Sequence, residues 1–483
     1  MNRARRLFLW AVVAVLVSHI LALYRCSKPS SPSTGSVTGT VTVENQANYE
    51  GVTVTLCVPA EIDQELSHIQ SLHPVVGFSI GQKTMFDHRL ANHMATTETA
   101  DDGSYTFENV PQGSFVVVAE MEHFGYLVRF DVTVKSGGEA VVPPIDLLEE
   151  QELAGNLATN TTLEANRHYV VSSDVTVLPG VTLTIEPGAH IQFDGYYSLL
   201  VNGRLVATGT EDQMIVFTSR KEAPAPGDWR RIEFNSSSEE AEMRWCKVEY
   251  ATIGIYAKGI PLTLSHNLVR NNEESGVLIL STFDIPIKIR NHLLINNDIG
   301  MWLENVDNGS IEHNIVWDNN GIGIGCQEGA PSLRNNLSRG NEYGLYCVYY
   351  SNPDCCHALL TENNWAIACG GWSKPTVHLC NFVNNNSGAI FVFIPPHGAH
   401  AQPTVNFCNF DEQTILIHVV GGPQAANEFD IDATNNYWGG LSVDEIDRLI
   451  LDKHDVTSDL APYVGEVIYL PMETAEIDSA GLQ

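Results

Sequence analysis

From Asn160 onward the apolar positions come in very short alternating runs, each closed by Pro-Gly, Asp-Gly, Asn-Gly or adjacent asparagines. The stretch HYVVSSDVTVLPGVTLTIEPGAHIQFDGYYSLLVNGRLVATGT shows no helical period, so it reads as short strands separated by turns. Further on the pattern becomes self-similar, in LTLSHNLVRNNEESGVLIL, IKIRNHLLINNDIGMWLE, SIEHNIVWDNNGIGIGC, SLRNNLSRGNEYGLYC and VHLCNFVNNNSGAIFVF. Each unit holds a short strand, an Asn, a second short strand, an Asn-rich turn, then Gly and a third strand. The period is about 22 residues, which suits one three-strand coil of a solenoid. Asparagine belongs at such turns because it tolerates the left-handed conformation, and its amide can bond the equivalent amide one coil away. Asn267, Asn314 and Asn336 occupy equivalent slots and are expected to be structural, with His292 standing in once. EHNIVWDNNGI is therefore a turn signature and not a cluster of catalysts.

Upstream, the pattern alternates with period two over longer runs: SVTGTVTV, YEGVTVTLCV, DDGSYTFENVPQGSFVVVAEM and GYLVRFDVTV, with Asp102-Gly103 and Pro111-x-Gly113 as turns. This predicts a small antiparallel sandwich over 37–148. Residues 60 to 95 interrupt it and carry His68, His73, His88 and His93 without metal-ligand spacing; a loop or lid with solvated histidines is expected. At the other end, Ser442 with Glu445 forms a capping box for a short helix. Its Ile446, Leu449 and Ile450 would shield the open end of the solenoid, so 441–483 reads as a cap on a repeat spanning 160–440.

These residues carry two resemblances. Gly39-x-Val41, Gly51-Val52-x-Val54, Asp102-Gly103-x-Tyr105-x-Phe107 and Val110-Pro111-x-Gly113 resemble a carboxypeptidase regulatory-like domain, an accessory module similar to transthyretin. PGVTLTIEPGAHIQF, LVNGRLVATGT, IVFTS and GDWRRIEF, with the closing Asn435-Asn436-Tyr437-Trp438-Gly439, resemble right-handed parallel β-helix proteins of the pectin-lyase-like superfold. The fold class implied is all-β: a small antiparallel β-sandwich, then a right-handed parallel β-helix with a short C-terminal capping helix. That superfold includes polysaccharide lyases, glycosidases, epimerases, adhesins and a copper-insertion factor, so the fold alone names no reaction. Within the repeat the Asp-Asp pair, Gly-His-Gly and Asp-Pro-His-Glu of its enzymes are absent, as is a basic residue beside acidic calcium ligands, while carboxylate pairs between neighbouring coils stay open.

Charge narrows the partners. Lys+Arg 26 against Asp+Glu 58 gives a net −32, which repels phosphate backbones, so no nucleic acid is expected. The N-terminus places Arg3, Arg5 and Arg6 before an apolar run from Leu7 to Tyr24. Residues 1–26 thus read as an export signal or membrane anchor, followed by a Ser/Pro linker over 27–36. The chain is expected to be exported: secreted, or anchored in a membrane and facing the periplasm or exterior.

Insertions between coils, at Ser351 to His357, Ser373 to Pro375, Ile394 to Pro403 and Gly421 to Phe429, are expected to stack as loops along one edge. Tyr349, Tyr350, Trp372, His397 and His400 beside them would suit a glycan, as aromatic faces interleaved with polar groups. Asp354-Cys355-Cys356-His357 with His397 and His400 lacks a two-residue Cys spacing, so no metal and no cofactor are expected. Cys326, Cys347 and Cys369, and likewise Cys380 with Cys408, fall one coil apart and are expected as buried free thiols; Cys355 and Cys356, in a loop, would be the reactive pair. Two functions remain. One is an envelope-anchored binding or structural surface for polysaccharide; the other is a polysaccharide lyase or glycoside hydrolase. An acidic pair plus a cation on neighbouring coils would favour the enzyme.

Overall fold

The computed structural model describes residues 34–236, 238–239, 241–393, 401–411, 413–420, 430–455 and 465–483. It falls into two units: 34–59 with 91–147, and 60–90 with 148–483. The N-terminal segment expected to anchor the chain lies outside the described residues. Among those described, no helix is long and apolar enough to cross a membrane.

The first unit packs two four-stranded sheets face to face. In one, Thr34–Val43 pairs antiparallel with Ser104–Pro111 and parallel with Glu139–Val141 and Ile145–Leu147, so this sheet is mixed. The other runs His93–Glu98, Thr53–Cys57, Gly113–Met121, Gly125–Val134, all antiparallel. Alternating side chains meet inside: Val37, Val41, Val54, Leu56, Tyr105, Phe107, Val117 and Ile145. Gly39 lets the Tyr105 ring lie flat against its backbone, since a Cβ there would sit 2.3 Å from the hydroxyl.

The second unit is a parallel β-helix. Each coil contributes one strand to each of three sheets, as Leu262–Ser265, Leu268–Arg270 and Ser275–Phe283 do before Ile287–Arg290 opens the next coil. Inward side chains stack in register; Phe382, Phe410 and Trp438 form one such column, with centroids 4.6 and 4.4 Å apart. At the C-terminal end the capping box of Ser442 and Glu445 starts the helix Val443–Leu449, whose Ile446 and following Ile450 are buried against the last coils.

Two asparagine ladders hold the turns. The one read from the sequence joins the first and second sheets: Asn314 Nδ2 bonds Asn336 Oδ1 at 3.0 Å, and its backbone N–H bonds the same oxygen. Cys380 and Cys408 continue this column and accept through sulfur. His292 is the weak member. Its ring nitrogens face the carbonyls of Leu264 and Asn267 but reach no hydrogen bond of good geometry. A second ladder, between the second and third sheets, runs through Asn272, Asn297, Asn319, Asn341, Asn363 and Asn385, all buried, with side-chain bonds of 2.9 to 3.2 Å. A buried amide left without a partner costs about 1–3 kcal/mol, so periodic pairing is what permits these polar rows inside a core.

All nine described cysteines are free and buried. Cys326, Cys347 and Cys369 stack in register, as the spacing implied. Cys355 and Cys356 differ from expectation. They lie on a strand, Asp354–Cys356, paired on both sides by neighbouring coils, and both are shielded from solvent.

Candidate functional site

The turn between the second and third sheets repeats one geometry: a residue in the left-handed conformation, then a ladder asparagine. The left-handed column is Asn271, Asn296, Asp318, Gly340, Glu362, Asn384, with φ between 50 and 71° throughout. Asparagine and glycine suit that conformation; a glutamate does not, and holding one there costs free energy. Three successive coils thus break the asparagine column with Asp318, Gly340 and Glu362. At Gly340 a Cβ would lie 1.9 Å from Asp318 Oδ1, so any side chain there would displace that carboxylate. Around this break opens a polar groove of about 510 Å³, lined by Asp318, Asn320, Glu342, Glu362, Asn364 and Asn386 among others.

One cation serves the carboxylates. Arg339, on the coil between Asp318 and Glu362, donates Nη2 to Glu362 Oε2 at 2.7 Å, and its Nη1 lies 3.7 Å from Asp318 Oδ1. The same Nη2 reaches Glu65 Oε2 at 2.6 Å, on the helix Gln64–Leu72 of the 60–90 segment. The guanidinium sits 4.3 Å over the Trp317 ring, which holds it in place. Burial pushes the Asp318 carboxyl upward, Arg339 pulls it back, and Asp63 and Glu362 add to the rise; the net shift is up. Glu65 is likewise raised, by burial first and then by Glu362 and Asp63 against Arg339. The arrangement can accept hydrogen bonds from hydroxyls or amines, donate from amide nitrogens, and hold a proton on a carboxyl at higher pH than usual.

Sequence alone named none of these residues, although it left open that carboxylates on neighbouring coils meet, as Asp318 and Glu362 do around Arg339. The signal was present as VWDNN, SRGNE and LTENN at equal spacing, but the cation and the acids come from different coils.

A second grouping lies on the same flank. Residues 60–90 pack on the outer face of the second sheet, burying Leu66, Val76 and Phe78 against Leu268, Leu293, Ile315 and Leu337. Beneath the segment's end, Asp87 and Arg89 meet Lys247, Glu249 and Arg270, all nearly excluded from solvent. Arg270 Nε donates to Glu249 at 2.9 Å, Arg89 Nη2 to Asp87 at 2.8 Å, and Lys247 Nζ to the Phe86 carbonyl at 3.3 Å. Burial disfavours the Asp87 carboxylate, but bonds and charge from Arg89, with Lys247 beyond, hold it well below the usual range. His88 is not solvated: burial drives its ring down to about 3, keeping it neutral. This patch is closed and internally paired.

Of the five residues expected to meet a glycan, the structure brings Tyr350 and Trp372 together, as rings stacked 5.1 Å apart at 4°. They are 57% and 37% exposed, and with Tyr349 they adopt left-handed backbone. His397 and His400 lie outside the described residues.

Residues 155–238 match the family described as pectate-lyase like β-helix domain, and 227–392 match periplasmic copper-binding protein (NosD). A stretch of 48 residues is 48% identical to the Protein bark beetle of Drosophila melanogaster, covering 10% of this chain and 2% of that protein. No solved structure matches. Among the described residues no three metal-capable side chains converge. The thiols are buried, and burial pushes Cys356 up to about 11 and Cys369 higher still.

Proposed function

We propose that this β-helix protein is exported and binds a polysaccharide along the turn edge marked by Asp318, Gly340 and Glu362. The observation that carries the reading is the replacement of a favourable asparagine column by two left-handed carboxylates flanking a glycine, which opens a groove of donors and acceptors repeated once per coil. Sugars present hydroxyls at a regular spacing, and a solenoid edge offers partners at about 4.8 Å intervals. The periplasmic description of one matching family and the basic, apolar N-terminus support export. Retention by an N-terminal anchor is part of the same proposal, with Tyr350 and Trp372 as a further contact on the edge. A glycan array followed by calorimetry tests it: an array-positive glycan should lose at least tenfold in affinity with Asp318→Asn or Glu362→Gln, while unchanged affinity in both removes the groove.

The grouping of Asp318, Arg339 and Glu362 on successive coils, with the Asp318 carboxyl raised, also favours a polysaccharide-active enzyme as second reading. Incubating uronic-acid and neutral polymers with and without calcium decides between the two. Release of shorter products, abolished in Glu362→Gln, supports catalysis; binding without release leaves the binding module.

A further inference from the structure

We infer that the outer face of the third sheet, which no described residue covers, is a platform for a polysaccharide of uncharged or amine-bearing sugars, continuous with the groove; this rests on the glycan reading above and names its ligand class. The outward column of that sheet runs Leu278, Trp302, Gly325, Tyr346, Ala368, Phe391, His418 in register. Its rings form an unbroken path. Trp302 lies 6.4 Å from Tyr346, Tyr346 5.5 Å from Phe393, Phe393 5.7 Å from Phe391, and Phe391 5.0 Å from Trp365. Tyr343 joins at 5.3 Å from Tyr346. All six rings are half-buried, each keeping part of its surface in solvent.

Small residues make the path possible. A Cβ at Gly325 would meet the Trp302 ring at 2.3 Å, so the indole lies across the glycine and reaches two coils along. Ala368 leaves the matching gap between Tyr346 and Phe391.

The path starts at the groove. Glu342 and Asn364 line the groove, and the next residues in the chain, Tyr343 and Trp365, open the strands that carry the rings. The strand Tyr343–Ser351 then passes Tyr346 and carries exposed Tyr350, stacked on Trp372, next to its last residue. Polar groups that bond hydroxyls thus adjoin ring faces that stack on sugar C–H groups, the pairing a saccharide needs. Charge sets the class. Asp318, Glu342 and Glu362 line the groove of a chain carrying net −32, which disfavours uronate or sulfated chains and accepts neutral or cationic ones.

Three hexasaccharides test this on the full chain: N-acetylglucosamine hexamer, glucosamine hexamer and hexagalacturonate. The first two should quench tryptophan fluorescence and release heat on binding, and hexagalacturonate should do neither. Trp302→Leu and Trp365→Leu keep apolar cover without a ring and should weaken binding at least tenfold; Trp365→Phe should restore most of it. In the wild-type protein, bound hexamer should protect Trp302 and Trp365 from oxidation by N-bromosuccinimide, a readout that needs no variant to fold. Affinity kept by both leucine variants, or no protection, overturns the platform. If Glu342→Gln alone weakens binding, the groove stands and the platform falls. Preference for hexagalacturonate overturns the ligand class, and silence from all three together with a blank glycan array removes both readings.

Discussion

Two outer faces of one solenoid are finished in opposite ways. The second sheet presents Leu268, Leu293, Ile315 and Leu337, and the 60–90 segment covers them, with Lys247, Glu249 and Arg270 paired beneath its end. The third sheet presents Trp302, Tyr346 and Phe391, half-buried by one another. Aliphatic columns and buried ions need a lid, because exposed methyl groups and desolvated charges are both unfavourable. Aromatic columns can shield part of their own surface by stacking and leave the remainder for a ligand. The groove lies on the border between the two faces, with Arg339 tied to the lid through Glu65 and Glu342 leading into Tyr343. One face is therefore a folding interface, and the other is the proposed recognition surface.

The largest expected effect lies on the covered face. Glu249→Gln removes the buried carboxylate that Lys247 and Arg270 share, while Asp87 stays on Arg89, a change expected to cost about 3–5 kcal/mol. Urea unfolding measures it. The same exchange at Glu342, in the open groove, should cost under about 0.5 kcal/mol. Equal losses at the two sites would dissolve the distinction between the faces.

Next comes a dependence on pH set by buried imidazoles. Burial keeps His292 neutral, lowering it to about 4, and drives His88 to about 3. The unfolded chain binds these protons near 6.5, so their stability contribution is complete above that pH and is lost as pH falls toward the folded values. His292→Asn restores the ladder residue and removes one such group. It should flatten the melting profile between about 6.5 and 4 by up to about 1.4 kcal/mol per pH unit. A profile as steep as wild type would show that His292 is charged or paired in the native coil.

Much of this architecture was legible because a solenoid writes its contacts locally. Asn267, Asn314 and Asn336 announce a coil period, and Ser442 with Glu445 announces the cap. The second ladder was partly hidden, since its members sit beside other asparagines in the same turns. Cys355 and Cys356 were misread as loop residues because a short strand between two insertions has too few residues to show alternation. Residues 60–90 read only as a loop or lid, and the surface they cover stayed hidden, because docking depends on surfaces far apart in sequence with no shared period. The groove was legible only as an interruption, Asn to Asp318, Gly340 and Glu362, whereas adjacent motifs are what a linear reading finds.

The ladder supplies a mid-sized test of whether polar rows act structurally. Asn314 Nδ2 bonds Asn336 Oδ1 and the Ile289 carbonyl, and its Oδ1 accepts from His292 N–H. Asn314→Ala should lower stability by about 1–2 kcal/mol through those lost bonds. Glycan affinity should not change. Full stability with lost binding would assign Asn314 to the ligand and break the contrast between core rows and surface rows.

The smallest effect is expected at the exposed end of the proposed recognition face, and it sharpens the comparison most. Tyr350 and Trp372 stack on each other but remain 57% and 37% exposed, so little apolar surface is withdrawn from water by either. Both also occupy the left-handed region, at φ of 63°, where bulky side chains are disfavoured. The stacking gain, about 0.5–1.5 kcal/mol for an aromatic pair, is thus offset by backbone strain. Tyr350→Ala and Trp372→Ala should each shift stability by under about 0.5 kcal/mol, and Trp372→Gly, which relieves the strain, should be neutral or slightly stabilising. Thermal melts by circular dichroism provide the measurement. Losses of 2 kcal/mol or more would mean that this pair packs as the covered face does, and its exposure would no longer speak for a ligand.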